Sequence, residues 1–307
     1  MKSGPGLLLL AAILACLSLA PVSPSPAQEA DPHLDFAHAL FKEGDYFRAV
    51  TEAKRFIFLK PQDPRRLEAE LLIARAYYEA GQYAQARTAY EPLIRRTDRL
   101  ELAATAALES GRCLERLDPA GQAVEYYRRL AEDQSPPDLR NTARYRLGWL
   151  LLEAGRWSEA REAFSSVEDG HSLKTSARRL ADQVPAGENL DYRSPQAAGA
   201  FSAVLPGAGQ LYVGRPVDAG LAFILNAAFI WATVQAAQDR NWAAFGILGL
   251  MEVGWYGGNI YNAVNGAHIH NREVQEEFRQ KLRRDHGWRL GYDPRNLGPL
   301  VSWSVDF

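Results

Sequence analysis

The chain has 307 residues, room for two domains, with 47% hydrophobic and 23% charged residues, an ordinary balance for a folded protein. A formal net charge of -2 excludes a general nucleic-acid binder, whose phosphate contacts need a basic excess. The average hides two unlike halves, because charge is dense before residue 185 and sparse between 196 and 264.

Residues 1–27 have the form of an export signal: Lys2, an apolar core from Leu7 to Ala20, then Ser25-Pro26-Ala27, after which cleavage fits the preference for small side chains. The alternative is Ile13-Leu14-Ala15-Cys16, which resembles a bacterial lipobox with Cys16 lipidated, although Leu14 is bulky for that motif. With the signal removed, Cys113 is the only thiol, which excludes an intramolecular disulfide and a cysteine-based metal site.

From residue 31 the chain repeats. Ala49, Ala86, Ala123 and Ala160 recur at intervals of 37 residues. Five residues before three of them stand Gly44-Asp45-Tyr46, Gly81-Gln82-Tyr83 and Gly155-Arg156-Trp157, with Asp118-Pro119-Ala120 in the third repeat. Small residues Ala37, Ala74, Gly111 and Gly148 lie twelve positions upstream, and Ala53, Tyr90, Tyr127 and Phe164 four positions downstream. This register resembles the tetratricopeptide repeat over residues 31–169, a helix-turn-helix in which small residues admit close helix approach and aromatics fill the gaps. The period is longer than that family's, and Ala53 stands where an aromatic is usual. A capping helix is expected over 172–184, with Ser172 as N-cap and Leu173, Ala177, Leu180 and Val184 on one face. The first 184 residues thus divide into a signal (1–27) and a solenoid (31–184), with a linker at 185–195.

The resemblance implies a concave surface lined by the first helix of each pair. Projecting the repeat frame puts His38, Phe41 and Lys42 there, then Arg75 and Tyr78, Arg112 and Arg116, and Tyr145 and Trp149. Arginines and aromatics in this mixture suit an extended or helical acidic segment of a protein partner. Glu79, Glu115 and Glu153 lie near enough to neutralise part of the basic character.

Residues 196–264 read as a glycine-rich helical membrane domain. Two apolar runs, Ala219 to Ala237 and Trp242 to Val264, are each about the 20 residues a helix needs to cross a bilayer. Ahead of them stand Pro206, Gly207, Gly209, Gln210, Tyr212 and Gly214, whose spacing resembles a family of small bacterial membrane domains and the turn before two-transmembrane-helix domains. That resemblance implies residence in a lipid bilayer and brings no catalytic residues. Ala228, Ala232 and Ala236 form one small stripe and Gly254 and Gly258 another, for packing within the hairpin or for self-association. Glu252 and Asn226 fall at similar distances from the turn near Arg240. The expectation is a hydrogen bond between a protonated Glu252 and Asn226; a proton- or ion-coupled role is the alternative.

Two passes would leave the basic tail, with Arg272, Arg279, Lys281, Arg283 and Arg284, on the exported side, against the positive-inside rule. A third pass or a re-entrant segment by residues 196–213 would relieve this. Residues 265–307 hold an amphipathic helix with Val274, Phe278 and Leu282 on a stripe suited to a membrane surface. The last residues, Val301 to Phe307, alternate like a strand. No enzyme motif, cofactor site or metal site stands out, His268 and His270 included. The expected fold is therefore all-α, a tetratricopeptide-type helical solenoid followed by a helical membrane hairpin of two or three passes. The expected role is an inner-membrane scaffold with periplasm-facing repeats that captures a partner protein in envelope assembly or secretion. The alternative is a small transporter or channel subunit in which the membrane module does the work.

Overall fold

The computed structural model describes residues 31–96, 98–132, 134–286, 289–292 and 299–302, the last two stretches as backbone only. The signal and lipobox readings lie outside the described residues. So does the end of the alternating tail, of which Val301 and Ser302 belong to a short antiparallel hairpin of β1 (Arg289–Tyr292) and β2 (Pro299–Ser302). Everything else described is helix and turn. Internal packing divides the chain into two compact units, Met1–Gln82 and Tyr83–Phe307.

The first unit holds α1 (Pro32–Lys42), α2 (Tyr46–Leu59) and α3 (Arg66–Glu79). Asp31 caps α1, accepting from the amides of His33 and Leu34, and Lys60 lies 2.6 Å from its carboxylate. That lysine is the main reason its carboxyl sits below the usual range. Ala37, Ala53, Ala69 and Ala76 pack with Leu34, Leu72 and Phe56 in one core. Phe56, fully buried one turn after Ala53, supplies the aromatic that the first repeat lacks. Gly44 ends α1 with a φ of 83°, a conformation that costs other residues strain.

The second unit begins with α4 (Tyr83–Ile94), then α5 (Leu100–Leu117), α6 (Gln122–Leu130), α7 (Pro137–Glu153) and α8 (Trp157–Ser165). The alanines at 86, 123 and 160 are all at 0% exposure, as are Tyr90, Tyr127 and Phe164. Small positions exist because rings need the space. A Cβ on Gly111 would stand 2.5 Å from the Tyr127 ring, and one on Gly148 would stand 2.6 Å from the Phe164 ring. Where the third repeat lacks a turn glycine, Asp118 replaces it by accepting from the amides of Gly121 and Gln122.

The capping helix forms as α9 (Lys174–Gln183), and Leu173, Ala177, Leu180 and Val184 are buried together. Its N-cap is Leu173, not Ser172; His171 Nδ1 accepts from the Leu173 amide and serves that end. A 3₁₀ turn, Val184–Asn189, continues onto the Trp157 ring through Gly187.

Beyond it come α10 (Pro195–Val204), α11 (Ala208–Tyr212), α12 (Pro216–Gln238) and α13 (Trp242–Asp285). The last has 44 residues, about 66 Å of unbroken helix. It corrects two expectations. The amphipathic stripe of the tail does not face a membrane surface, because Phe278 and Leu282 pack into the core of the later repeats. Phe278 meets Trp157 edge-on at 5.8 Å, and Arg283 is paired with Glu153 at 2.5 Å. A third pass by residues 196–213 is also replaced. Those residues form helices of 10 and 5 residues, far short of the roughly 20 that a crossing needs, and both pack on α13.

Candidate functional site

In the first unit, His38 Nε2 lies 2.8 Å from Glu68 Oε1, a bond that holds the Glu68 carboxyl below its usual range. Phe41 is half-buried and packs edge-on against Tyr46 at 5.5 Å, while Lys42 is exposed. Arg75 is buried at 8% exposure and Tyr78 is half-buried.

In the second unit, Arg112 bonds Glu109 at 2.8 Å and Arg116 is exposed. Tyr145 is a core residue at 0% exposure, so it is not available to a partner. The reason is α9, which closes over the last repeat and places Ser176 Oγ 3.0 Å from the Tyr145 hydroxyl. Trp149 is half-buried, edge-on to Phe164 at 6.0 Å. On α7 the repeat frame thus put an interior residue, Tyr145, on the concave face.

Two ion clusters on this side were not read from the sequence. Glu115 accepts from Arg146 and from the Tyr127 hydroxyl, both at 2.6 Å, inside the stack of repeats. Glu168 accepts from Arg140 at 2.7 Å, Arg144 at 2.9 Å and Asn141 at 3.2 Å. Asn141 first, then the arginines, holds that carboxyl below its usual range. Arg140, Arg144 and Arg146, four and two residues apart on one helix, carried the only signal. Glu153, which was to soften the groove's charge, is engaged by Arg283 of α13.

The turn signature is a clasp. Gly207 has a φ of 94°, and a side chain there would run into the Ala219 carbonyl. Gly209 lies against Ala198 and Ala263. Gln210, 1% exposed, accepts from the Ser202 hydroxyl at 2.9 Å and donates to the Asn259 carbonyl at 3.0 Å. Tyr212 stacks edge-on with Phe201 at 5.2 Å and accepts from the Ser194 amide. Pro206 and Gly214 shape the two turns, Gly214 with a φ of 81°.

Within the hairpin of α12 and α13, the expected Glu252–Asn226 bond is not formed. A Cβ on Gly249 would touch Thr233, and Phe229 lies beside Trp255, with ring centroids 6.4 Å apart. That register sets Asn226 opposite residue 257 or so, leaving Glu252 about 8 Å away along the axis. Asn226 donates instead to the Ala222 carbonyl of its own helix, at 2.6 Å, and among the described residues neither its Oδ1 nor the Glu252 carboxylate has a partner. The packing stripe is corrected as well. Ala222, Asn226 and Ala236 are buried on α12, whereas Ala228 is exposed. A Cβ on Gly254 or Gly258 would meet nothing within 4 Å, so these glycines do not join the two helices.

Large apolar side chains face outward along the whole module, among them Val204, Leu211, Ile224, Trp231, Trp242, Ile247, Leu250, Val253 and Tyr261. Among the described residues α12 is the one helix long and apolar enough to cross a membrane; the apolar half of α13 is diluted by Glu252, Asn259 and its glycines. Among the described residues no group of three or more His, Cys, Asp or Glu is placed to hold a metal.

A family model described as tetratricopeptide repeat matches residues 71–139 and 120–172. No curated protein matches the chain. Among solved structures, a tetratricopeptide repeat protein from Parabacteroides merdae is similar at 13% identity and a TM-score of 0.40, covering 81% of this chain and 97% of its own. The apo form of RapI is similar at 12% identity and a TM-score of 0.35, covering 90% and 92%. The matched residues run through the helix pairs whose small and aromatic positions interlock, and the chain carries tetratricopeptide repeats there.

Proposed function

We propose that this protein is a membrane-tethered scaffold that captures a partner protein on its repeats, at a bacterial inner membrane with the repeats on the periplasmic side. Tetratricopeptide repeats are protein-interaction modules, and Lys42 and Arg116 are exposed on the first-helix faces of their respective units. The observation that carries the tether is α13. It pairs with α12 beneath an outward-facing apolar belt, then continues without a break onto the last repeat.

That continuity supports a two-crossing hairpin. The chain enters α12 from helices packed on the middle of α13, and α13 ends docked on the repeats, so both ends of the hairpin leave on one side. Trp242 and Tyr261 lie 19 positions apart on α13, about 28 Å, close to the thickness of a hydrocarbon core. The basic residues that argued for a cytoplasmic tail are partly engaged, Arg283 with Glu153 and Arg279 with Glu276. The exported side, the envelope process and self-association through the open Gly254–Gly258 face belong to the same reading.

Photocrosslinking from Lys42 and Arg116 of the full chain tests it, with the same probes in the Glu252→Gln chain as the control. Capture of one protein by both chains supports a scaffold. Glu252 and Asn226 Oδ1, without a partner among the described residues, favour a second reading, in which the hairpin moves a proton or ion and the repeats regulate it. Under that reading Glu252→Gln abolishes function at unchanged abundance.

A further inference from the structure

Inside the hairpin, the Glu252 carboxylate, Asn226 Oδ1 and Asn259 Nδ2 are all shut off from the surface and without a partner among the described residues. They share one seam. Glu252 and Asn259 are seven residues apart on α13, two turns, and so lie on the same face of that helix. Asn226, 1% exposed, belongs to the buried face of α12 with Ala222 and Ala236. The register that brings Gly249 to Thr233 and Trp255 to Phe229 sets Asn226 about 3 Å along the axis from Asn259 and about 8 Å from Glu252.

The two directions along this seam differ. Towards the repeats it continues with Gln210, which donates to the Asn259 carbonyl at 3.0 Å, and it opens at the partly exposed pair of Arg215 and Asp218. Towards the turn at Arg240 it is apolar, with Leu248 half-buried, Ala236 buried and the Thr233 hydroxyl tied to the Phe229 carbonyl at 2.7 Å. A leftover donor and a leftover acceptor at nearly one depth are complementary through a water, which accepts from Asn259 Nδ2 and donates to Asn226 Oδ1. Orphaned groups are costly at bilayer depth, where no bulk water offers the missing bond. From Asn226 to Glu252, two or three waters at about 2.8 Å per hydrogen bond cover the distance.

We propose that a file of water runs from the clasp past Asn259 and Asn226 to Glu252, and that through it the carboxyl exchanges protons with the compartment of the repeats alone. A proton passes along the file to an oxygen of the carboxylate and leaves by the same route. Asn259 and Asn226 are positioning residues that hold the first water. Among the described residues no other ionisable side chain faces Glu252: α12 has none between Asp218 and Asp239, α10 has none, and the Tyr256 hydroxyl of α13 donates to the Ala203 carbonyl. The proposal rests on the membrane reading and deepens the proton-moving one by fixing the side of entry.

The test uses the full chain in phosphatidylethanolamine–phosphatidylglycerol vesicles sorted for outward-facing repeats, with impermeant buffers setting the pH on each side. Dicyclohexylcarbodiimide partitions into lipid and adds to a carboxyl only in its protonated form. Mass spectrometry follows its addition to the fragment carrying Glu252, with Glu252→Gln as the blank. The expected result is loss of labelling when the outer medium is made alkaline and no loss when only the inner medium is. Asn226→Leu and Asn259→Leu should each make labelling indifferent to the outer pH without lowering the unfolding midpoint, since each removes an orphaned polar atom. Labelling that follows the inner pH, both or neither overturns the file, as do asparagine variants that respond like the wild type. A Glu252→Gln chain that keeps its function sinks the proton-moving reading and leaves the file to the labelling result. Labelling of Glu252 by a water-soluble carbodiimide from both media overturns the membrane reading and the file together.

Discussion

Around Tyr127 the interior is aromatic and the outside charged; around Asn226 the interior is small and polar, and the outside is leucine, isoleucine and tryptophan. Both regions are antiparallel helix pairs built from one chain. The repeats bury rings at 0% exposure against glycine and alanine and hold their arginines in ion pairs. The hairpin buries Ala222, Asn226 and Ala236 while Leu250 stands 77% exposed. Water makes the first arrangement favourable, since apolar burial drives it. The second is favourable only where the surroundings are themselves apolar, because helix contacts in lipid come from close packing rather than from hiding hydrocarbon. The inversion is the physical basis of the proposed tether.

The sharpest way to break the contrast is to empty the repeat core. Phe164→Ala removes a fully buried ring and is expected to cost about 3–5 kcal/mol, read as a lower unfolding midpoint of the helical signal in detergent. Gly148→Ala attacks the same contact from the other side. Overpacking costs roughly 1–3 kcal/mol, and a double-mutant cycle with Phe164→Leu should recover much of it. An unchanged midpoint for Gly148→Ala would mean that the small positions are not there for the rings.

Gln210→Ala in the clasp acts on the same scale. It strands the Ser202 hydroxyl and the Asn259 carbonyl, for about 1–3 kcal/mol, detected as faster proteolysis between α11 and α12. Conversely, Glu252→Gln breaks no bond and should leave the midpoint where it was.

Acid probes the repeats from outside. The folded-state pKa of Glu168 is depressed, so its stabilising contribution is complete above the ordinary carboxyl pKa and is lost as pH falls through the folded value. The midpoint of the wild-type chain should therefore decline below about pH 4.5 more steeply than that of Glu168→Gln. Equal slopes would remove Glu168 from the account. Least of all should change in thiol chemistry: native Cys113 should resist alkylation at pH 8 and react only after unfolding.

The repeat ladder was legible because it depends on side-chain volume, and volume is written in the residue type. The period of 37 survives in the buried alanines without exception. What was not legible depends on neighbours that arrive from elsewhere. Tyr145 looked like a binding residue until α9 covered it, and Glu252 looked like Asn226's partner until the helix register displaced it. One signal was present and unused. No proline occurs between Pro216 and Pro294, and Ala263, Ala267, Asn271, Val274, Phe278 and Leu282 follow one another at spacings of three or four. That seam successively holds the clasp, the linker through Asn271 and Arg193, and the end of the repeats.

An unbroken seam of this kind gives the repeats a fixed stand-off. From Tyr261 to Phe278 the helix rises about 26 Å, so the last repeat is held at that height by a strut rather than a string. Under the proposed tether, whatever pulls on a captured partner would pull on the bilayer with no slack between them. Lengthening α13 by four residues after Asn271 would lift the anchor by one turn, and inserting two would twist it to the opposite face.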